Sequence, residues 1–317
     1  MLYNFTYRKS LYYFHLKNNQ KNLKSLGKKF IKKSLISFWK LHKKLVKTNI
    51  KFKNKHDGET CLIIANGGSL KSYDISNISQ LPAIGCTYTL IDKRAQTLNI
   101  KYLVFTEQYL FYPLFYNFQK AYKKIIRLQK NIIRKIFEKT INSNPNINFF
   151  INLTNFYTKI ARNTNVHYFY HFGDHTSDSY DLAGNFSAMQ GALEIMLSTA
   201  QYLGFSKAIL LGCDYLGKPV IRGHFYADSK PFYGVNYLPE YCQRIKSITK
   251  NIDLLVILPE GITSTDFDFK SYEEYFDLKR NDKKNIDFID DEYIEMLREA
   301  GDAWQVYMHE YQNNNKG

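Results

Sequence analysis

A short apolar run, Cys61-Leu62-Ile63-Ile64-Ala65, stops abruptly at Asn66-Gly67-Gly68-Ser69. A run of this length bounded by glycine reads as a buried strand. Two glycines let the backbone turn sharply and approach a ligand closely. If a helix starts just after, Ser69 and the backbone N–H groups that follow face an anion at its N-terminus. The turn is not a Walker loop, because the Gly-x-x-x-x-Gly-Lys-Ser/Thr spacing is missing. It is not the dinucleotide Gly-x-Gly-x-x-Gly either: Gly67 and Gly68 are adjacent, and Lys71 stands where the third glycine belongs. Alone, the segment supports two readings, a nucleotide-facing turn and a plain tight turn.

From this strand onward, strand and helix signals alternate. Further strands are expected at Ala83–Thr87, Lys101–Thr106, Ile147–Leu153, Lys207–Cys213 and Leu254–Leu258. Helices are expected over residues 114–140, over Ala188–Leu203, where Met189, Ala192, Leu193, Met196, Ala200 and Leu203 share a face, and over residues 239–250. Gly204 stands at a helix C-cap position. Residues 154–187 read as irregular, and residues 272–317 as a polar, acidic helical tail. Alternation of this kind implies an α/β fold: a mostly parallel sheet with helices on both faces. In such sheets ligands bind beyond the carboxyl ends of the strands. Those ends carry Asn66, Thr87, Thr106 and Asp214.

Charge divides the chain. Of its 317 residues, the first 56 hold sixteen Lys or Arg and no Asp or Glu, against a net charge of +15 for the whole. The rest is therefore near neutral, which argues against a basic nucleic-acid cleft in the body and for an arm that meets an anionic surface. Within the arm Leu23, Leu26, Phe30, Ile31, Leu35, Phe38, Leu41 and Leu45 recur at helical spacing between lysines. This basic amphipathic helix has three readings: packing on the body, peripheral attachment to anionic lipid through residues 1–50 with Phe38 and Trp39 at the interface, or a partner helix. The expected organisation is an arm over 1–56 with a hinge at His56-Asp57-Gly58-Glu59, a catalytic domain over 57–271 and a tail over 272–317. No apolar run reaches the ~18 residues of a membrane span. The four cysteines, Cys61, Cys86, Cys213 and Cys242, have no zinc spacing and read as free thiols, which fits a reducing cytoplasm.

Two segments belong together: Ile63-Ile64-Ala65-Asn66-Gly67-Gly68-Ser69-Leu70-Lys71, and Leu203-Gly204-Phe205-Ser206-Lys207-Ala208-Ile209-Leu210-Leu211-Gly212-Cys213-Asp214. The pair resembles bacterial sialyltransferases of glycosyltransferase family 42. It also resembles the related MptE-like domain of motility-associated and polysaccharide-cluster glycosyltransferases. Phe52-Lys53-Asn54-Lys55-His56-Asp57-Gly58 and Gly223-His224-Phe225-Tyr226 extend the likeness over roughly residues 52–262. The resemblance implies a variant Rossmann-like glycosyltransferase fold and a nucleotide-sugar donor, CMP-linked in the sialyltransferases. It further implies no cofactor, no metal, and a loop histidine as general base. Carried over by position, Asn66, Gly67 and Ser69 match the donor turn, with Gly68 in place of a proline. Thr87 and Thr106 stand near two family asparagines, Asp214 matches the acidic residue after the later strand, and Ser187 falls in a region that meets donor.

Inverting transfer needs a base for the acceptor hydroxyl and groups that stabilise a departing phosphate. His224 is the candidate base. Arg222, Tyr226, Tyr233 and Tyr237 from the same loop are candidates for the phosphate, against the alternative of a packing lid. His171, Asp174 and His175, with Asp178 and Asp181, match no standard metal spacing. The expected function is transfer from a nucleotide-sugar to a glycan or glycolipid acceptor during surface polysaccharide or lipooligosaccharide synthesis, in the cytoplasm and peripheral on the inner membrane. The alternatives are a Mg²⁺-dependent phosphoryl or diphosphoryl transferase of the pterin diphosphokinase type, which would need carboxylates around ATP, and a non-catalytic binding protein.

Overall fold

The computed structural model describes residues 41–76, 78–105, 123–156, 160, 163–170, 180–184, 186, 191–221, 223–227, 239–281 and 287–314. Its strands are β1 (Thr60–Ile64), β2 (Ala83–Cys86), β3 (Ile100–Phe105), β4 (Asn148–Asn152), β5 (Val166–Phe169), β6 (Lys207–Leu211), β7 (Asp253–Leu258) and β8 (Asp268–Ser271). They form one sheet in the order β5-β4-β3-β2-β1-β6-β7-β8, and every ladder is parallel. Strands covered on both faces need apolar side chains at successive positions, which is why the central ones read as continuous apolar runs.

The period of two divides those side chains between two cores. Leu62, Ile64, Leu103, Phe105, Phe149 and Ile151 meet Ile132, Ile136, Phe137 and Ile141 of helix α1 (Lys123–Ser143). Cys61, Ile63, Ile84, Cys86, Tyr102, Val104 and Phe150 meet helix α2 (Ala192–Leu203) through Met196, Leu197, Ala200 and Leu203, and helix α3 (Pro239–Ile248) through Cys242, Ile245 and Ile248. Each such buried aliphatic or aromatic side chain contributes roughly 1.5–3 kcal/mol. The result is a Rossmann-like sheet flanked by helices on both faces. A short helix α4 (Tyr272–Phe276) and a long one, α5 (Asp291–Asn314), complete the described chain, and α5 packs on α1. All four cysteines are free and buried. Among the described residues no helix is long and apolar enough to cross a membrane.

Several expectations change. Strand β5 falls inside the span read as irregular, and β8 was not foreseen. The helix expected after the Gly67-Gly68 turn is only a 3-10 segment, Gly68–Ser72. The acidic tail is two helices rather than one. The expected hinge at 56–59 is tied down instead: Asn54 N–H donates to Tyr202 O (3.0 Å), His56 N–H to Leu203 O (2.7 Å) and Gly58 N–H to Gly204 O (3.0 Å). Gly204 caps α2 with φ +91°, and a Cβ there would sit 2.9 Å from Asn54 Cα. Both the left-handed turn and the passing chain therefore require glycine. Most of the arm, residues 1–40, lies outside the described residues. Residues 41–47 are helical, followed by a 3-10 turn at Thr48–Phe52, and His42, Val46, Asn49 and Phe52 are buried against the sheet.

Candidate functional site

Strand β1 is the pivot of the sheet. The chain moves outward from it through β2 to β5, then returns to its other side at β6 and moves outward again. The segment after β1 packs into the α1 core through Leu70, Tyr73 and Ile75, whereas the connection after β6 runs through α3 on the opposite face. The connections that leave β1 and β6 thus diverge to opposite faces, which makes this the topological switch point, the usual ligand position in open α/β sheets, although the two chains stay bonded past the strand ends, Ala65 N–H to Leu211 O (2.9 Å).

The turn after β1 is built around Asp214. Gly67 N–H donates to Gly212 O (2.9 Å). The Asp214 carboxylate accepts Ser69 N–H at Oδ2 (2.8 Å) and Ser69 Oγ–H at Oδ1 (2.5 Å). Gly68 N–H bonds the same carboxylate. A side chain at Gly67 would collide with Gly212 O and fall 2.6 Å from Asp214 Oδ2, so this close approach requires glycine. Gly212 adopts φ +64°, and its N–H donates to the Tyr272 hydroxyl (3.1 Å), which lies 3.5 Å from Ser69 Oγ. Tyr272 in turn stacks on Tyr73, with centroids 4.2 Å apart. Asp214 is only 2% exposed. Burial pushes its carboxyl up to about 6, against the opposing pull of the Ser69 and Gly68 bonds. Ser69, expected together with the N–H groups that follow it to face an anion, is held through both its N–H and its hydroxyl by the protein's own carboxylate.

The polar side chain of this turn that is left incompletely bonded is Asn66. Its amide bonds the Thr87 hydroxyl (3.0 Å) at one end, and its other end is buried without a partner among the described residues. Thr87 directly follows β2, at φ +33°, and is 5% exposed, its N–H bonded to Val104 O (3.1 Å). A buried β-branched residue in the left-handed region is strained, and such strain concentrates at functional positions.

The loop after β6 comes down on the same turn. Phe225 N–H donates to Asn66 O (3.2 Å), and Lys71 Nζ–H donates to Ala227 O. His224 Nδ1 lies 3.1 Å from Asn66 O. A carbonyl oxygen only accepts, so Nδ1 carries the proton and Nε2 is the basic nitrogen of the neutral ring. The imidazole stacks on Tyr226 at 5.0 Å, and Tyr226 packs on Tyr88 at 4.4 Å. The loop is thereby anchored from three directions.

The structure brings together Asn66, Gly67, Gly68, Ser69, Thr87, Asp214, His224 and Tyr226. Thr106, Ser187, Arg222, Tyr233, Tyr237, His171, Asp174, His175 and Asp178 lie outside the described residues. Asp181 accepts Ala183 N–H (2.9 Å) in its own turn. Among the described residues no group of three or more His, Cys, Asp or Glu is placed to hold a metal ion. Tyr272 and Tyr88 escaped sequence reasoning. Tyr272 opens α4 far along the chain, just after the edge strand β8, with no local motif, whereas Tyr88 directly follows Thr87 and its neighbourhood was the available signal.

No family model and no curated protein matches the chain. A solved structure with distant similarity is the monofunctional alpha-2,3-sialyltransferase Cst-I from Campylobacter jejuni, at 16% sequence identity over 82% of this chain and 95% of that chain, with a TM-score of 0.29. A likeness this distant carries no argument about activity.

Proposed function

We propose that this chain is a glycosyltransferase that uses a nucleotide-sugar, CMP-linked and sialic-acid-like, with His224 as general base and no metal. The observation that carries the reading is the switch-point turn: a strand end at Asn66-Gly67-Gly68, with one end of the Asn66 amide unpartnered and an imidazole docked on the same residue's carbonyl. An unpartnered buried amide end costs about 1–3 kcal/mol unless a ligand supplies a hydrogen bond. A ribose or sugar hydroxyl, or a phosphate oxygen, satisfies it.

In the proposed reaction His224 Nε2 takes the proton of an acceptor hydroxyl as that oxygen bonds to the anomeric carbon. The bond from that carbon to the phosphate oxygen breaks, and the electron pair leaves on the nucleotide phosphate. The Nδ1–H bond to Asn66 O holds the ring's orientation and stabilises the imidazolium formed. Asn66 then serves both partners, binding donor through its side chain and aiming the base through its carbonyl. In this reading Asp214 shapes the turn rather than touching the ligand. The proposed setting is synthesis of surface polysaccharide or lipooligosaccharide on the cytoplasmic side of the inner membrane. The acceptor is a glycan or glycolipid, and residues 1–50 meet anionic lipid.

Thermal unfolding with CMP, UDP, GDP and ATP, each with and without Mg²⁺, tests the reading. Stabilisation by CMP without Mg²⁺ is expected. Stabilisation by ATP alone, and only with Mg²⁺, would favour phosphoryl transfer instead. No response to any nucleotide would leave a non-catalytic protein.

A further inference from the structure

The last part of the basic arm shows which face it offers. Over residues 41–52 His42, Val46, Asn49 and Phe52 are turned inward. Asn49 Nδ2–H donates to Tyr168 O and Leu182 O (both 2.8 Å), and its own carbonyl accepts the Tyr202 hydroxyl (3.2 Å). Phe52 packs edge-on against Tyr102, Phe150 and His167, one each from β3, β4 and β5. Val46 and Phe52 are thus spent on the protein and are not free to enter a bilayer.

The opposite face is a ridge of exposed lysines: Lys43, Lys44, Lys47 and Lys51, continued by Lys53 and Lys55. Two of them are steadied by the ring beneath, Lys51 Nζ at 5.0 Å and Lys55 Nζ at 5.8 Å from the Phe52 centroid. No acidic residue precedes Asp57. The nearby acids are Asp57, Asp181, which is bonded to Ala183 N–H, and Glu59, which is paired with His56 Nδ1 at 3.1 Å. Leu41 and Ile50 flank the ridge at 73% and 61% exposure.

We propose that this lysine ridge, fixed rigidly to the sheet, is the surface by which the body docks on an anionic lipid headgroup layer. It rests on the reading of residues 1–50 as membrane-facing, and refines it: the contact over 41–55 is electrostatic, with Leu41 and Ile50 touching the headgroup region, rather than insertion of an amphipathic helix. Three observations favour lipid. The charge is of one sign, the flanking aliphatics suit a headgroup layer better than a nucleic acid, and the preceding residues 1–40 add ten more Lys or Arg with no acid. A rigid ridge also fixes the orientation of the body on the surface. The segment wraps the β5 edge of the sheet, with Val46 in one core, Phe52 in the other and Asn49 bonded to Tyr168 O, and leads into the N-terminal end of β1, whereas the candidate site lies at the carboxyl ends of β1 and β6. Docking on this edge therefore leaves the candidate site uncovered.

The test is co-sedimentation of the full chain with vesicles of phosphatidylcholine containing about one-third phosphatidylglycerol. The comparison is between wild type, a ridge variant with Lys43, Lys44, Lys47 and Lys51 changed to Gln, and a control variant with Lys21, Lys24, Lys28 and Lys29 changed to Gln. Circular dichroism and the melting temperature verify that both variants fold. Each lysine near such a surface is worth about fivefold in partitioning. The ridge variant is therefore expected to lose more than tenfold, and wild-type binding to weaken steeply with added salt. A loss below tenfold in the folded ridge variant, salt-insensitive binding, or equal binding to pure phosphatidylcholine would overturn the proposal. Nucleotide-induced thermal shifts measured on the same variants report the glycosyltransferase reading separately, since the ridge borders β5, which β4, β3 and β2 separate from β1.

Discussion

Replacing Asp214 tests the construction of the turn after β1 most directly. The carboxylate is 2% exposed and carries a folded pKa of about 6 against 3.8 for the free residue. The folded protein therefore holds a proton through the range in which the unfolded chain releases it. Stability from this group is fully present below about pH 4 and falls as pH rises through 6. At neutral pH the difference amounts to a cost of about 3 kcal/mol, at about 1.4 kcal/mol per pH unit. Asp214→Asn removes the charge and keeps the shape. The amide oxygen still accepts Ser69 N–H, and the amide nitrogen donates to Ser69 Oγ, which reverses its role. That variant is expected to equal or exceed wild type at pH 7, by up to about 2 kcal/mol once the weaker neutral bonds are allowed for. Asp214→Ala instead strands the Ser69 N–H, the Ser69 hydroxyl and the Gly68 N–H, at about 1–3 kcal/mol each. After the relieved burial cost it should be about 2 kcal/mol less stable than wild type. The assay is urea unfolding at half-unit steps from pH 4 to 7.5, read as the difference between each variant and wild type. The difference is needed because His167 titrates with the opposite sign in the same range. An Asp214→Asn protein that keeps the whole wild-type pH dependence, or an Asp214→Ala protein within about 0.5 kcal/mol of wild type at pH 7, would refute the reasoning.

Asn66→Ala is expected to weaken nucleotide binding by about 1.5–3 kcal/mol in calorimetry while leaving the melting temperature nearly unchanged; an unchanged affinity sinks the donor assignment. His224→Ala is expected to lower kcat by roughly 10²–10⁴ with little change in donor affinity, and to abolish the acidic limb of the pH–rate profile; activity within about threefold of wild type would place the base elsewhere. His167 is buried beside Phe52 with Nε2 at 3.0 Å from Asn148 Oδ1, and burial pushes its pKa down to about 4. Its contribution is fully present above about pH 6.5 and is lost as pH falls through 4, up to about 3 kcal/mol. His167→Gln should flatten that acid-side loss, and an unaltered acid profile would contradict it. Gly67→Ala is expected to cost about 1–3 kcal/mol in unfolding, because the new methyl group meets Gly212 O and Asp214; a neutral result would mean that the ends of β1 and β6 yield easily.

The sequence made the central strands legible because each is a mostly apolar run closed by a small or polar residue, Asn66, Thr87, Thr106 or Gly212, and those runs are the ones covered on both faces. Strand β5, Val-His-Tyr-Phe, hid because a histidine interrupts it and its edge is covered by Asn49, a distant residue. Strand β8, Asp-Phe-Lys-Ser, hid because it is an exposed edge with no apolar period. At the site, the importance of Asn66 and Gly67 was legible from the break in the run. The inward turn of Asp214 was not, since it depends on Ser69 arriving from another loop. Tyr272 was invisible for the same reason: its partners, Gly212 and Tyr73, are remote in sequence. The arm's periodicity announced an apolar stripe but not what that stripe packs against.

The position of β1 at the centre of the sheet has a consequence for biosynthesis. Its partner β2 follows within about twenty residues, but its other partner, β6, begins only at Lys207. At the usual elongation rate of about 5–20 residues per second, the second edge of β1 waits roughly 7–30 s after the ribosome has made it. During that interval Cys61-Leu62-Ile63-Ile64 is an unpaired, uncharged edge of the kind that recruits other chains. The edge is closed only when Ala208-Ile209-Leu210-Leu211 emerges and pairs with it.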